Sequence, residues 1–198
     1  MRDMDSSTRA TSAPPGTVSR TRRAILDAAV TCYAEDLTTP LSEVARVADV
    51  GRSTLHRYFP DRAALVDALL TDAVDHTERA LADAALHEGA VVEATGRLVA
   101  AVFELSPRIM PLFSDTTGDV RWDDSRWEQI HGPIGALHAR GRAEGVIADE
   151  ITVEWFVRVL WYLVSAGWEA IQEEGLAKHR AVALVTRSLL RGVTADPA

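Results

Sequence analysis

Apolar side chains recur at three- and four-residue spacing along residues 20–191, and no stretch alternates apolar with polar as a half-buried strand does. A helical period laid on a pleated sheet would turn half of its apolar side chains to water, so this regularity confines the chain to an all-α fold. Polar and helix-breaking residues cut the pattern into about nine segments, at 20–35, 40–48, 52–58, 62–87, 91–105, 107–114, 125–144, 152–173 and 179–191. Ser19 and Thr39 are the expected caps of the first two, with Pro40 at a first helical position, where its missing N–H loses no bond. Residues 1–19, rich in Ser, Thr and Pro and nearly without apolar side chains, are expected to form a disordered arm.

At 198 residues, 47% hydrophobic and 25% charged, the chain has ordinary globular composition, which excludes whole-chain disorder. Its longest apolar stretch, 155–168, is interrupted by Arg158 and is too short to span a bilayer, so no membrane partner is expected. The single cysteine, Cys32, cannot form an internal disulfide, and the N-terminus lacks the charged-then-apolar layout of a signal peptide; the expected compartment is the cytoplasm. Cys32 lies on the apolar face of the first helix and is read as a small buried hydrophobe. The net charge of −8 is unevenly spread: residues 1–62 hold nine Arg against eight Asp and Glu, net +1, and residues 63–198 hold twelve basic against twenty-one acidic residues, net −9. The two parts therefore suit different partners, and only the first lacks the acidic excess that repels phosphate. Lys178 is the one lysine among 21 basic residues. Arginine's planar fork suits phosphate and guanine, although codon usage in an alanine-rich protein gives the same bias.

The break at Asp49-Val50-Gly51 is the informative one. Asp49 tolerates a left-handed backbone and Gly51 is acceptable as the next cap, so two short helices meet across three residues, braced by the helix before them. That arrangement matches a DNA-binding helix-turn-helix with its support. Residues 41–70, LSEVARVADVGRSTLHRYFPDRAALVDALL, closely resemble the N-terminal domain of the TetR family of transcriptional repressors. The block Thr54-Leu55-His56-Arg57-Tyr58-Phe59 followed by Pro60-Asp61-Arg62-Ala63-Ala64-Leu65 is the most specific part. The resemblance covers about residues 20–70, and it implies a helix-turn-helix domain at 20–62 followed by a helical ligand-binding and dimerisation domain at 63–198. Asp49 and Gly51 depart from the family's usual turn Gly and cap Ser or Thr, and His56 stands where Tyr is common, so base preference does not transfer.

In such a unit the N-terminal residues of the third helix face base edges, and flanking groups hold the DNA backbone. Arg52 is the candidate for guanine, because its fork reaches both acceptors on that base. Ser53, Thr54 and His56 are candidates for a base or a phosphate, Tyr58 for a phosphate through its hydroxyl, and Arg62 for backbone charge. Ser42 is a further candidate from the second helix, while Leu55 and Phe59 are assigned to the small core. Arg9, Arg20, Arg22 and Arg23 are placed where an N-terminal arm reaches phosphates or the adjacent minor groove.

One helix-turn-helix covers too few base pairs for specific binding, so the expected partner is a double-stranded DNA operator with two half-sites, met by a homodimer. Residues 152–173 place Trp155, Phe156, Val159, Leu163 and Gly167 on a broad apolar face, and residues 179–191 add Val182, Val185 and Leu189. Two such helices from each subunit make a four-helix bundle, as the resemblance also implies. By the same resemblance the remaining helices surround a pocket, with Phe103, Met110, Phe113, Trp127, His131, Trp161, Tyr162 and Ser165 as candidate lining. Such side chains suit an apolar or aromatic small-molecule inducer. A ligand that prefers the conformation with misplaced reading heads weakens DNA binding by the same factor, and the fourth helix is the mechanical connection.

His76, His87, His131, His138 and His179 are accompanied by no nucleophile motif, phosphate loop or HExxH pattern, so neither catalysis nor a cofactor or metal is expected. The other alternative, a dimeric helical adaptor without specific DNA binding, gives no reason for the donors Arg52, Thr54 and Tyr58 on one short helix.

Overall fold

The computed structural model describes residues 15–113 and 123–194. Among these it contains eight helices: α1 (Pro15–Glu35), α2 (Leu41–Val47), α3 (Arg52–Tyr58), α4 (Arg62–Asp83), α5 (Val91–Phe113), α6 (Asp124–Ala143), α7 (Val153–Glu174) and α8 (Lys178–Val193). The only β pairing among the described residues is an isolated bridge between Ile147 and Thr194.

Three expectations change. Helix α1 starts at Pro15, so Ser19 lies inside it and is no cap; residues 1–14 of the expected arm lie outside the described residues. Once the packed turns around Ile25 exist, each added residue gains a bond without a new nucleus, which carries the helix back through 15–19. Thr39 does not cap α2 either: its hydroxyl donates to the Asp36 carbonyl at 2.7 Å, and Pro40, with φ −73° and ψ 151°, occupies the cap position. The segments 91–105 and 107–114 form one helix, α5, because a proline removes a single N–H from the ladder and the turns on both sides persist.

The turn between α2 and α3 closes as its residues require. Asp49 N–H donates to Arg46 O at 3.2 Å and Val50 N–H to Ala45 O at 3.0 Å, a paired closure that needs a left-handed residue between them. Asp49 supplies it at φ 53°. Asp bears that conformation better than most side chains; a β-branched one does not. Asp49→Val is therefore expected to lower the unfolding free energy by about 1–2 kcal/mol, read from urea midpoints, and Asp49→Gly to leave it unchanged or raised.

Two cores follow. The first joins Ile25, Leu26, Ala29 and Tyr33 of α1 to Val44, Ala45, Leu55 and Phe59, and continues along α4 from Leu65 to Val74. The second gathers Leu81 with the inner faces of α5 to α8, including Phe103, Ile134, Phe156, Leu160, Val164, Val185 and Leu189. Helix α4 thus runs through both, and the first core extends well past residue 62. Asp61 caps its start by accepting from the Ala64 N–H at 2.8 Å.

Candidate nucleic-acid interface and ligand cavity

Helix α3 is anchored by Leu55, with Tyr58 packed at the edge of the same core, and presents most of its other side chains. Leu55 is buried in the first core, whereas Arg52, Ser53, His56 and Arg57 are exposed and Thr54 and Tyr58 partly so. Gly51 caps the helix through its backbone alone, so no side chain covers the N-terminal N–H groups. The Arg52 guanidinium makes no hydrogen bond or ion pair with any described residue. His56 Nδ1–H donates to the Pro60 carbonyl at 3.1 Å, which fixes the orientation of the ring. Arg57 lies 5.4 Å from the centre of the Tyr58 ring, and Ser42 is exposed in the first turn of α2.

Arg62 departs from its expected role on the DNA backbone. It is turned inward over the Tyr33 ring at 4.8 Å and donates to Tyr33 Oη, to Thr39 O at 3.2 Å and to Leu37 O. A guanidinium with these partners ties the start of α4 to the loop between α1 and α2. Two of the α1 arginines are likewise engaged within the protein: Arg22 stacks on Phe59 at 5.5 Å, and Arg23 bonds Asp72 at 2.7 Å and Asp27 at 3.2 Å.

A cavity of about 910 Å³ opens between α6 and α7. Of the expected lining, Trp127, His131, Trp161, Tyr162 and Ser165 are on its wall. Phe103 is not: it is fully buried in the second core, its ring 6.1 Å from that of Trp168. The side chains of Met110 and Phe113 lie outside the described residues. The sequence reading missed Glu128, Gly132 and Gly135 on α6 and Val153, Glu154, Val157 and Arg158 on α7. The signal was present in the spacing, since 127, 131 and 135 share one face of α6 and 154, 158, 161 and 165 one face of α7.

His131 organises this wall. Its ring stacks on Trp127 with centroids 3.8 Å apart, Nδ1 lies 2.9 Å from the Trp127 carbonyl, and Nε2 accepts from Trp161 Nε1–H at 3.1 Å. Both bonds are made at once only by the neutral ring with its proton on Nδ1. Burial lowers the pKa of His131, more than the Trp127 carbonyl and Glu128 raise it. The unfolded chain therefore takes up this proton first as pH falls. Stability from this group is complete above about pH 6.5 and is lost below it. Between pH 7.5 and 5.5 the urea midpoint of the wild type is expected to fall further than that of His131→Phe; equal falls would assign the pH dependence elsewhere.

The apolar faces expected to dimerise divide in two. Phe156, Gly167, Val185 and Leu189 are buried within the monomer, packed against α5 and each other, so they are core and not interface. A Cβ on Gly167 would lie 2.5 Å from Phe103 Cζ, which shows how close that packing is. Val159, Leu163 and Val182 are partly buried against the same core. Trp155 is 50% exposed, and the outer surface of α7 and α8 also carries Tyr162 at 73% and Leu184 at 43%. The helical period of α7 showed a broad apolar face, but not which part of it the protein itself covers.

No described helix is long and apolar enough to cross a membrane, and no group of three or more His, Cys, Asp or Glu among the described residues is placed to hold a metal ion.

Residues 25–69 match the sequence profile of bacterial regulatory proteins of the tetR family. The HTH-type transcriptional repressor LfrR of Mycolicibacterium smegmatis is 33% identical over 182 residues, which is 92% of this chain and 95% of that protein. The crystal structure of the TetR-like transcriptional regulator LfrR from Mycobacterium smegmatis in complex with proflavine superposes with a TM-score of 0.71 at 31% identity, covering 90% of this chain and 99% of that one. A TetR family regulator from Marinobacter aquaeolei shares the fold, with a TM-score of 0.72 at 17% identity over 92% of this chain and all of that one.

Proposed function

Because the chain belongs to the TetR family of bacterial regulatory proteins, and so is a ligand-responsive DNA-binding regulator and not an enzyme, we propose that it is a dimeric repressor released from its operator by a flat aromatic molecule. The observation that carries the reading is the presence, in one chain, of a presented α3 and a cavity of about 910 Å³, with α4 running through both cores. That volume lies within the usual range of small-molecule sites. Its Trp127, His131 and Trp161 rings offer faces and edges for a flat ligand.

The charge of the lining favours a cation. Glu128 and Glu154 carry two negative charges against the single positive charge of Arg158, and His131 is neutral. The pKa of Glu154 is lowered by its own backbone N–H and the Thr152 hydroxyl, which favour its charged form. Proflavine, the flat acridine cation bound by the relative LfrR, has the matching chemistry.

Arg52, Ser53, Thr54 and His56 read the base edges in this account, with Tyr58 and Ser42 on the phosphates. The two-fold dimer places two copies of α3 in successive major grooves. The test is to select duplexes from a random-sequence pool by repeated binding to the purified protein. The reading requires a pseudo-palindromic sequence whose complex survives salt that removes a scrambled duplex. Selection of no sequence, with equal and steeply salt-sensitive binding to all duplexes, would reject it.

A further inference from the structure

The first two turns of α6 face two ways. Trp127 and His131, four residues apart, line the cavity. Arg126 and Ile130, also four apart and about 100° around the same helix, face the DNA-binding half. Ile130 is fully buried and is the one α6 side chain in the first core, among residues of α1 to α4. Arg126 Nη2 donates to Asp67 Oδ1 at 2.9 Å and to Thr71 Oγ1 at 3.3 Å, both on α4, while its Nε lies 3.7 Å from Asp123, the cap of α6. Thr71 donates its own hydroxyl proton to the Asp67 carbonyl at 3.0 Å, so its oxygen is free to accept from Arg126.

We propose that Arg126 is the positioning residue that joins the ligand cavity to the DNA-reading unit, tying α4 to α6 through Asp67 and Thr71 so that a displacement of α6 is carried to α4. A molecule seated against Trp127 and His131 acts on the same two turns that carry Arg126 and Ile130. Ile130 is packed without polar direction, whereas Arg126 grips two named atoms on α4 and so transmits the displacement as well as the contact. The movement is passed on toward the start of the same helix, where Arg62, five residues before Asp67, grips the carbonyls of Leu37 and Thr39 ahead of α2. Trp161 is a second, apolar link, packed against both cores and bonded to His131.

This role rests on the reading of the cavity as the regulatory site, and the experiment separates the two. Operator affinity is measured on the selected duplex with and without saturating proflavine, for the wild type, Arg126→Ala, Arg126→Lys and Trp127→Ala. Trp127→Ala reports any effect of proflavine on the duplex itself, since it weakens the cavity and leaves the DNA unchanged. In Arg126→Ala, proflavine affinity and ligand-free operator affinity are expected within about twofold of wild type, while the factor by which proflavine weakens operator binding falls about fivefold. Arg126→Lys, which keeps the charge facing Asp67, is expected to restore part of that factor. An unchanged factor in Arg126→Ala would overturn the proposal, as would a loss of proflavine affinity that alone accounts for the change. If the wild type shows no proflavine effect beyond that of Trp127→Ala, the regulatory reading of the cavity fails, and this proposal with it.

Discussion

Arg52→Ala is expected to weaken binding to the selected duplex by about tenfold or more per half-site, and by the square of that factor for a dimer that uses both. Arg52 is the first residue of α3, is exposed, and has no partner among the described residues, so its fork is available to a guanine edge at no internal cost. Its removal leaves Leu55 and the turn at Asp49 untouched, and the unfolding midpoint should not move. The loss should fall on the selected duplex and spare the scrambled one, and it should relax preference at one base position in each half-site. Tyr58→Phe is the contrasting case: if its hydroxyl holds a phosphate, as proposed, binding to every sequence is expected to weaken alike. Uniform weakening by Arg52→Ala, with a shallower salt dependence, would move Arg52 from base reading to phosphate binding.

If the exposed face of α8 forms the proposed dimer interface, Leu184→Glu is expected to separate the two subunits and thereby remove operator binding, by about a hundredfold or more at nanomolar protein. Leu184 is 43% exposed on the outer surface of α8, beside the exposed Ala183. A self-complementary interface repeats every substitution on both sides of the two-fold axis, so a carboxylate there is buried twice without a partner. Sedimentation should find a monomer at micromolar concentration, with an unfolded fraction no larger than that of the wild type. Phe156→Ala would behave differently. Its ring is wholly inside the monomer, and its loss is expected to cost about 3–5 kcal/mol of folding free energy before any effect on assembly. A Leu184→Glu protein that remains dimeric and binds DNA normally would place the interface elsewhere.

These two variants also mark what the sequence carried and what it did not. The reading helix was legible to the residue, from Arg52 to Tyr58, because Gly51 and Phe59-Pro60-Asp61 bound it with local chemistry that tertiary contacts do not override. The left-handed Asp49 was legible for the same reason. Arg62 was not. A basic residue at a helix start near DNA suggests phosphate, and only the fold shows that Tyr33 and two loop carbonyls already occupy it. On α7, Trp155 and Phe156 are both apolar neighbours on a broad face, and only the packing of the other helices, His138 of α6 among them, decides that one is half exposed and the other fully buried. The cavity was half legible. Its aromatic walls recur with the helical period, but Gly132 and Gly135 contribute by the side chains they lack, and an absent side chain leaves no mark in an apolar pattern.

Filling the cavity between α6 and α7 and holding the operator are, on this account, mutually opposed. The most direct measurement is a fluorescence-anisotropy titration of the labelled selected duplex bound by the wild-type protein, with increasing proflavine and with Trp127→Ala in parallel. The account predicts release of the wild type at proflavine concentrations that leave Trp127→Ala bound, with release of the variant needing about tenfold more. Release of both at the same concentration, or persistence of the wild-type complex with proflavine bound, would contradict it.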